Sequence, residues 1–490
     1  MLILTGFEPV PPSLQVSLST DHFGTLRGLT TSRDFAPLYG SPVINQTGEP
    51  NERTNIFHNS ERSEFITSHG GAVSGISWYG AAFLLINTAL GAGILNYPQA
   101  YDRAGGIISG TIIQLFLLIL LTSTMIILAY CSDINGDLTY HDVLLSVVGR
   151  RAQQIAAVSI LLTCFGICVT FLIVIGDQFD RLFLSIFGDT FCKSWYLHRK
   201  FTITVTATLF ILPICFPRRI DFLKYFSSLG VLTMLYTVFL IIYEYFSANH
   251  VAGDIKTKPK DAMDLFFILP IFCFAYQTHE VVVSVYACMK RRNIRTFAIT
   301  VSFSMLTLFV IYSATGICGY LTFGSKVDPD VMKSYGADSP LVLVAMVVLT
   351  IKMITTYPPL LLCGRGALDG LYCEFRGISV ENIIRNEKRR RIIITITWFF
   401  LALTLAIFVP NIGIVLEMLG SLASANVFIF PGLCLVKTMS RETFWYKSYK
   451  KYCGYLYGLF LILFGSFIFV VVIIHLCMQG DPSESGDVIC

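Results

Sequence analysis

The chain has 490 residues, 54% of them hydrophobic and only 14% Asp, Glu, Lys or Arg, with a formal net charge of +4. Soluble domains carry about 25% charged residues, so this composition excludes a water-soluble globular protein and a disordered one. A charge so close to neutrality, with no basic patch interleaved with aromatics, also excludes a nucleic-acid binder.

In chain order, residues 1–77 are polar, rich in Ser, Thr, Asn and Gly, with four basic and seven acidic residues. They read as a disordered tail. The opening MLILTGFEPV has a short apolar run and no basic flank, so no signal peptide is expected. The rest is a ladder of apolar segments near the ~20 residues that cross hydrocarbon. Eleven transmembrane helices are expected, at about 78–101, 106–131, 153–180, 200–217, 222–246, 263–286, 296–321, 340–363, 392–410, 412–436 and 453–477. The fold class is an all-α polytopic membrane protein.

Placing the tail in the cytosol puts 21 Lys and Arg on the cytosolic side and ten on the other. The positive-inside rule therefore expects a cytosolic N-terminus and a luminal or extracellular C-terminus, 478–490. The 14 cysteines show no CxxC pair and no Cys/His ligand spacing, which argues against structural zinc. Cys192 and Cys318 are the pair that could meet on an oxidising face. No Ser/His/Asp, Cys/His or paired-carboxylate constellation is assembled, so no enzyme and no bound cofactor are expected.

Two spans carry breakers near their middles. The first contains Asn87-Thr88-Ala89-Leu90-Gly91-Ala92-Gly93, and the sixth contains Leu269-Pro270 followed by Phe274-Ala275-Tyr276-Gln277-Thr278-His279-Glu280. Backbone can be left unpaired at membrane depth only where protein or a water-filled cavity supplies partners. Spans five apart have opposite orientation, so matching breaks predict a five-plus-five inverted repeat, 78–246 and 263–436, with 453–477 as an added helix. A half-helix starting near Ala92 presents free N–H groups to a carboxylate. Carbonyls freed at Phe274, Ala275 and Tyr276 suit an ammonium group, so a small α-amino acid fits both ends. A monovalent cation could use the carbonyls of Asn87 and Leu90 with the hydroxyls of Thr355 and Thr356. Mg²⁺ or Ca²⁺ would demand carboxylates that the region lacks.

The stretch Asn87–Pro98 resembles the first-helix signature of the amino acid/auxin permease superfamily, and Gly420–Gly432 resembles its tenth-helix signature. Four further pieces are similar to the sodium-coupled neutral amino acid transporters (solute carrier family 38), nearest the branch of members seven and eight. They are Ala129–Ser132, Ile175–Gln178, Gly316–Gly324, and Thr356-Tyr357-Pro358 with Cys363-Gly364-Arg365. The resemblance implies a LeuT/APC-like fold and secondary active transport of neutral amino acids, often glutamine, driven by sodium. Carried over, it implies that Asn87, Leu90, Thr355 and Thr356 hold sodium. Ala89, Ala92 and Gly93, with Gly91 between them, would face the substrate carboxylate. Phe274, Ala275 and Tyr276 would take its ammonium group, and His279 matches a histidine of this branch. The branch's seventh member exports glutamine and asparagine from lysosomes, so a lysosomal or a plasma-membrane address stays open.

Lys352 departs from that pattern. It lies three residues before Thr355, on the same helix face, and about 18 Å into its span at 1.5 Å per residue. A cation so deep is a functional candidate by default. One reading makes it compete with or replace sodium and couple transport to H⁺. The other pairs it with Asp177 or Glu417 or exposes it to a watery vestibule. Asp177, Asp180 and Arg181 suggest an interfacial ion cluster, and Glu280 a half-helix cap. Trp195, Tyr196 and Trp398 suggest belts at the membrane surface. A transporter expected to act as a monomer is one function class; a nutrient sensor that signals through a tail-bound partner, with little flux, is the other.

Overall fold

The computed structural model describes residues 75–188, 197–217, 223–247, 253–259, 264–336, 339–377, 382, 385–408, 412–441 and 448–478. Cys192, Trp195, Tyr196 and the tail up to residue 74 lie outside them, and with Cys192 the expected cysteine pair. Among the described residues no β-strand forms; Ile76 and Met289 make one isolated bridge.

Helix α1 (Trp78–Ala89) starts at Ser77, whose side chain accepts from the Gly80 N–H, and stops at Leu90. Gly91 is extended, a 3₁₀ turn covers Ala92–Asn96, and α2 (Tyr97–Arg103) follows with Pro98 in its first turn. The two halves bend by 56°. The chain then reverses at Gly105 and Gly106, with φ of +79° and +119°. A Cβ on Gly105 would stand 2.1 Å from the Pro259 nitrogen, so the turn needs both the left-handed backbone and the missing side chain.

Helix α3 (Ile107–Asn135) is followed by α4 (Arg150–Phe187). At 38 residues α4 is about 57 Å long and outreaches a ~30 Å hydrocarbon core, so its far third carries Asp177, Asp180 and Arg181 past the apolar layer. Next come α5 (Arg199–Thr206), extended by a π-turn and a further helical turn to Cys215, and α6 (Leu223–Ser247). Helix α7 (Leu269–Ala275) ends at Tyr276, and α8 (His279–Ala287) restarts after Thr278. Beyond lie α9 (Ile294–Phe323), α10 (Pro340–Arg376), α11 (Glu387–Phe408), α12 (Ile412–Ser424), α13 (Phe430–Arg441) and α14 (Ser448–Met478). A π-turn over Ala425–Ile429 joins α12 to α13.

Nine helices among the described residues are long and apolar enough to cross a membrane, and the bent pair α1/α2 makes a tenth. The expected span at 200–217 is the shorter helical run Arg199–Cys215, below the length of the others. Helix α9 packs on α1, α2 and α3; α10 lies along α4 and α6; α7 meets both α12 and the turn after Gly91. The broken segments are therefore enclosed by other helices, as unpaired backbone at this depth requires.

Candidate functional site

Both breaks are real, and they touch. A Cβ on Gly93 would stand 3.0 Å from the Ala275 Cα, so glycine permits the contact. Gly91 has open space on that side, with only the Ala89 oxygen within 4 Å, at 3.8 Å. Around this point Asn87, Gly91, Phe274, Gln277, Thr355 and Thr356 are half-buried, while Ala89, Leu90, Ala92, Gly93, Ala275 and Tyr276 are buried.

The carbonyls freed by the two breaks share one donor. The Tyr312 hydroxyl, from α9, lies 2.7 Å from the Ala89 oxygen and 3.0 Å from the Ala275 oxygen. Its ring packs 4.8 Å from Tyr97 and 5.1 Å from Tyr276, centroid to centroid. Gln114, buried two turns into α3, donates to the Tyr276 hydroxyl at 2.8 Å and accepts from the Tyr101 hydroxyl at 2.7 Å. Ser313 also donates to it, at 3.2 Å. The Phe274 carbonyl closes the local turn by accepting from the Gln277 N–H at 3.1 Å.

Of the residues expected to hold a cation, Leu90 is met by one. Lys352, 6% exposed, donates from Nζ to the Leu90 carbonyl at 2.6 Å. The Thr356 hydroxyl donates to the Lys352 carbonyl at 2.8 Å, and the Thr355 hydroxyl to the same oxygen at 2.9 Å. Leu90, Lys352, Thr355 and Thr356 are thus joined through main-chain oxygens. Neither carboxylate considered for Lys352 is its partner: Asp177 pairs with Arg199 and Lys333, and Glu417 with Arg103.

The second break leads into a polar network. His279, fully buried, sits with Nε2 2.9 Å from the Thr124 hydroxyl, and its Nδ1 has no hydrogen-bond partner among the described residues. Glu280 accepts from the Gln277 side-chain amide and from Asn426 Nδ2, the latter at 3.2 Å. Ser159 donates to Asn426 Oδ1 at 2.9 Å, tying the break to the π-turn and to α4. Glu280 thus sits in the first turn of α8, where a cap was expected, and takes amide partners there.

At the far end of the bundle, where α2 finishes, ion pairs accumulate. Arg199 contacts Asp177 at 3.0 Å and Asp180 at 3.7 Å; Lys333 contacts Asp177 at 2.9 Å; Lys256 contacts Asp102 at 2.7 Å. Arg181 leaves the carboxylates and donates to the carbonyls of Met332 and Tyr335. Gln178 donates to Asp330 at 3.2 Å, and the Met332 N–H donates to it at 3.0 Å. Burial, and then the Asp177 charge, pushes the Asp330 carboxyl up to about 7 against the pull of Lys333.

The predicted residues of both breaks are thus brought together, and Lys352 joins them. Trp398 is corrected: it is 5% exposed and packs on Phe165 and against Gly364, so it is core and not a belt residue. Tyr312, Gln114, Thr124, Arg103 and Asn426 were missed. Gln114 and Asn426 carried a signal, an amide inside an apolar run; Tyr312 carried none, because a span tyrosine reads equally well as core.

The sequence pattern described as "Transmembrane amino acid transporter protein" matches residues 74–478. Sodium-coupled neutral amino acid transporter 7 of Mus musculus is 39% identical over 461 residues, covering 93% of this chain and 96% of its own. Solute carrier family 38 member 8 of Homo sapiens is 33% identical, over 81% of this chain and 93% of its own. Among solved structures, a manganese transporter of Eremococcus coleocola aligns with a TM-score of 0.52 at 13% identity, over 84% and 90% of the two chains. That likeness shows a LeuT-type fold and nothing of the cargo.

Proposed function

The chain belongs to the sodium-coupled neutral amino acid transporters (solute carrier family 38), nearest members seven and eight, and from that premise we propose that it carries glutamine- or asparagine-like neutral amino acids by cation-driven alternating access. The family is one of transporters, not of enzymes. The observation that carries the reading is the meeting of the two breaks at Gly93 and Ala275, with one phenol spanning the carbonyls on either side.

A substrate ammonium has three donors. It can replace the single Tyr312 proton and serve the Ala89 and Ala275 oxygens together, with Phe274 and Tyr276 alongside. The carboxylate then faces the turn that starts at Ala92, which has no side-chain cap, next to Gly91 and Gly93. His279, whose Nδ1 has no partner among the described residues, would meet a polar substrate side chain through water or directly. Asn87, Leu90, Thr355 and Thr356 form the cation position, with Na⁺ or H⁺ as the driving ion.

In this reading 78–246 and 263–436 are inverted repeats around the site, 453–477 is an addition, and the run Arg199–Cys215 is the eleventh crossing. The tail faces the cytosol, and the membrane is lysosomal or plasma. The far-end ion pairs tie α2 to α12 and to the 253–259 segment, and α4 to α5 and the 327–336 segment, and so would close the non-cytosolic side. The test is reconstitution of the purified full chain into sealed vesicles. Labelled glutamine accumulating under an imposed Na⁺ or H⁺ gradient is the expected result; saturable binding without accumulation would overturn it in favour of the sensor.

A further inference from the structure

A polar path runs from the far-end ion pairs to the meeting point of the two breaks, and Gln114 stands at its middle. The residue is fully buried, two turns into α3. An amide withdrawn from water into a span is costly unless partners take its hydrogen bonds. Three hydroxyls do so: Tyr276 at the end of α7, at 2.8 Å; Tyr101 of α2, at 2.7 Å; and Ser313 of α9, at 3.2 Å. We propose that Gln114 is a positioning residue for transport, which holds Tyr276 and the adjoining Ala275 carbonyl in substrate-binding register while α2 is seated on α3 and α9. Closure of the far end and tight binding of the amino acid then go together. The proposal rests on the transport reading above and adds what keeps its site in shape.

Three features carry it. First, Tyr101 is fitted to its place: a Cβ on Gly316 would stand 2.7 Å from its ring, and one on Gly110 3.1 Å. Glycine on α9 and on α3 leaves a slot for the ring, and the hydroxyl meets Gln114 one turn along α3 from Gly110. Second, the residues after Tyr101 are those that fasten α2 at the far end. Asp102 pairs with Lys256 at 2.7 Å, and Arg103 pairs with Glu417 of α12. Parting these pairs frees α2 to leave the slot, and Gln114 then loses its shortest hydrogen bond. Third, α9 holds both ends of the path. Ser313 donates to Gln114, while its neighbour Tyr312 donates to the Ala89 and Ala275 oxygens. The Tyr312 and Tyr276 rings lie 5.1 Å apart, edge to face, so a displaced Tyr276 presses on the one hydroxyl that bridges the breaks.

The amide oxygen and nitrogen of Gln114 are both engaged within the bundle, so the residue acts through Tyr276 and not on the substrate. Replacing the amide with hydrocarbon takes a partner from all three hydroxyls at once, and a buried hydroxyl left short of a partner turns to find another. Tyr276 is the one of the three that adjoins the Ala275 carbonyl, so its displacement is felt as weaker binding.

Full-length protein in sealed vesicles loaded with glutamine is given labelled glutamine, and exchange is measured against concentration. Gln114→Leu is expected to raise KM by about fivefold or more. A smaller rise overturns the proposal, including a loss confined to the maximal rate, which is what a merely structural role produces. Gln114→Glu, whose carboxyl serves the same hydroxyls in either protonation state, is expected to lie nearer to wild type than to Gln114→Leu; the reverse overturns it. Should the leucine variant fail to fold, Tyr101→Phe and Tyr276→Phe carry the test, since each removes one hydroxyl from Gln114. Their double variant is expected to have a KM nearer to that of the worse single one than to the product of the two effects; effects that multiply overturn the proposal. The same shift is read without flux from the glutamine concentration that half-protects solubilised protein against heat. Wild type that binds glutamine yet does not exchange it sinks the transport reading, while Gln114 is still judged by that concentration.

Discussion

The break between α1 and α2 contains Leu90 and Gly91, neither with a polar side chain, whereas the break between α7 and α8 contains Tyr276, Gln277 and Thr278 and passes directly to His279 and Glu280. The first takes its side-chain donors from other helices, Lys352 of α10 and Tyr312 of α9. The second supplies most of its own partners and anchors them to Thr124 and Asn426. A break whose partners are borrowed can exchange them for a ligand, because removing a distant side chain leaves the main chain intact. A break wired through its own side chains is a fixed hub. In the proposed mechanism the borrowed partners give way to cargo, while the side-chain network of the second break keeps the geometry.

The largest expected effect comes from separating the two breaks. Gly93→Val places branched carbons against Ala275 and is expected to lower glutamine uptake by about 100-fold or more, equivalent to roughly 3 kcal/mol, with the protein still monodisperse. Near-normal uptake by this variant would remove the contact from the mechanism. Gly93→Ala, whose methyl needs a shift of a few tenths of an ångström, should cost about tenfold.

Tyr312→Phe tests the borrowed partner. It leaves the Ala89 and Ala275 oxygens without their shared donor, a cost of about 1–3 kcal/mol that a bound ammonium would repay. The expected signature is therefore a fall in thermal stability largely restored by saturating glutamine. A fall that glutamine does not restore would place Tyr312 outside the substrate's reach.

Asn426→Ala tests the fixed hub. It strips one donor from Glu280 and the acceptor from Ser159, and is expected to cost about 1–2 kcal/mol of stability, with no rescue by glutamine. Rescue equal to that of Tyr312→Phe would erase the distinction between the breaks.

The smallest effect is at the far end and is set by pH. Asp330 is buried beside Asp177 and Asp328, with Lys333 and Arg181 as the nearby cations, and its carboxyl is raised to about 7, above the usual carboxylate range. A group raised in the packed state holds its proton more tightly there than when hydrated. Its contribution to closure is thus full below about pH 4 and lost as pH rises through about 7. Acidifying the far side from about pH 8 to pH 6 should slow its opening, read as reduced reactivity of a cysteine placed at Ser334, by about two- to fivefold. Asp330→Asn should remove that dependence; if the variant keeps it, another group titrates.

Much of the architecture was written in the order of residues. The apolar ladder, the Gly-x-Gly at 91–93, the Pro270 and polar run of the sixth span, and the depth of Lys352 are local patterns, and local patterns set helix starts, stops and the need for enclosure. Partnership was not. Lys352 was weighed against Asp177 and Glu417, yet it meets a main-chain oxygen 262 residues away, because those carboxylates are claimed at the far end by Arg199, Lys333 and Arg103. Trp398 looked interfacial and is core, and Tyr312 drew no notice. Periodicity says which residues leave the water, but the long spans α3, α6 and α9 are apolar on all sides. Only packing decides which face meets lipid and which meets a neighbour's freed carbonyl.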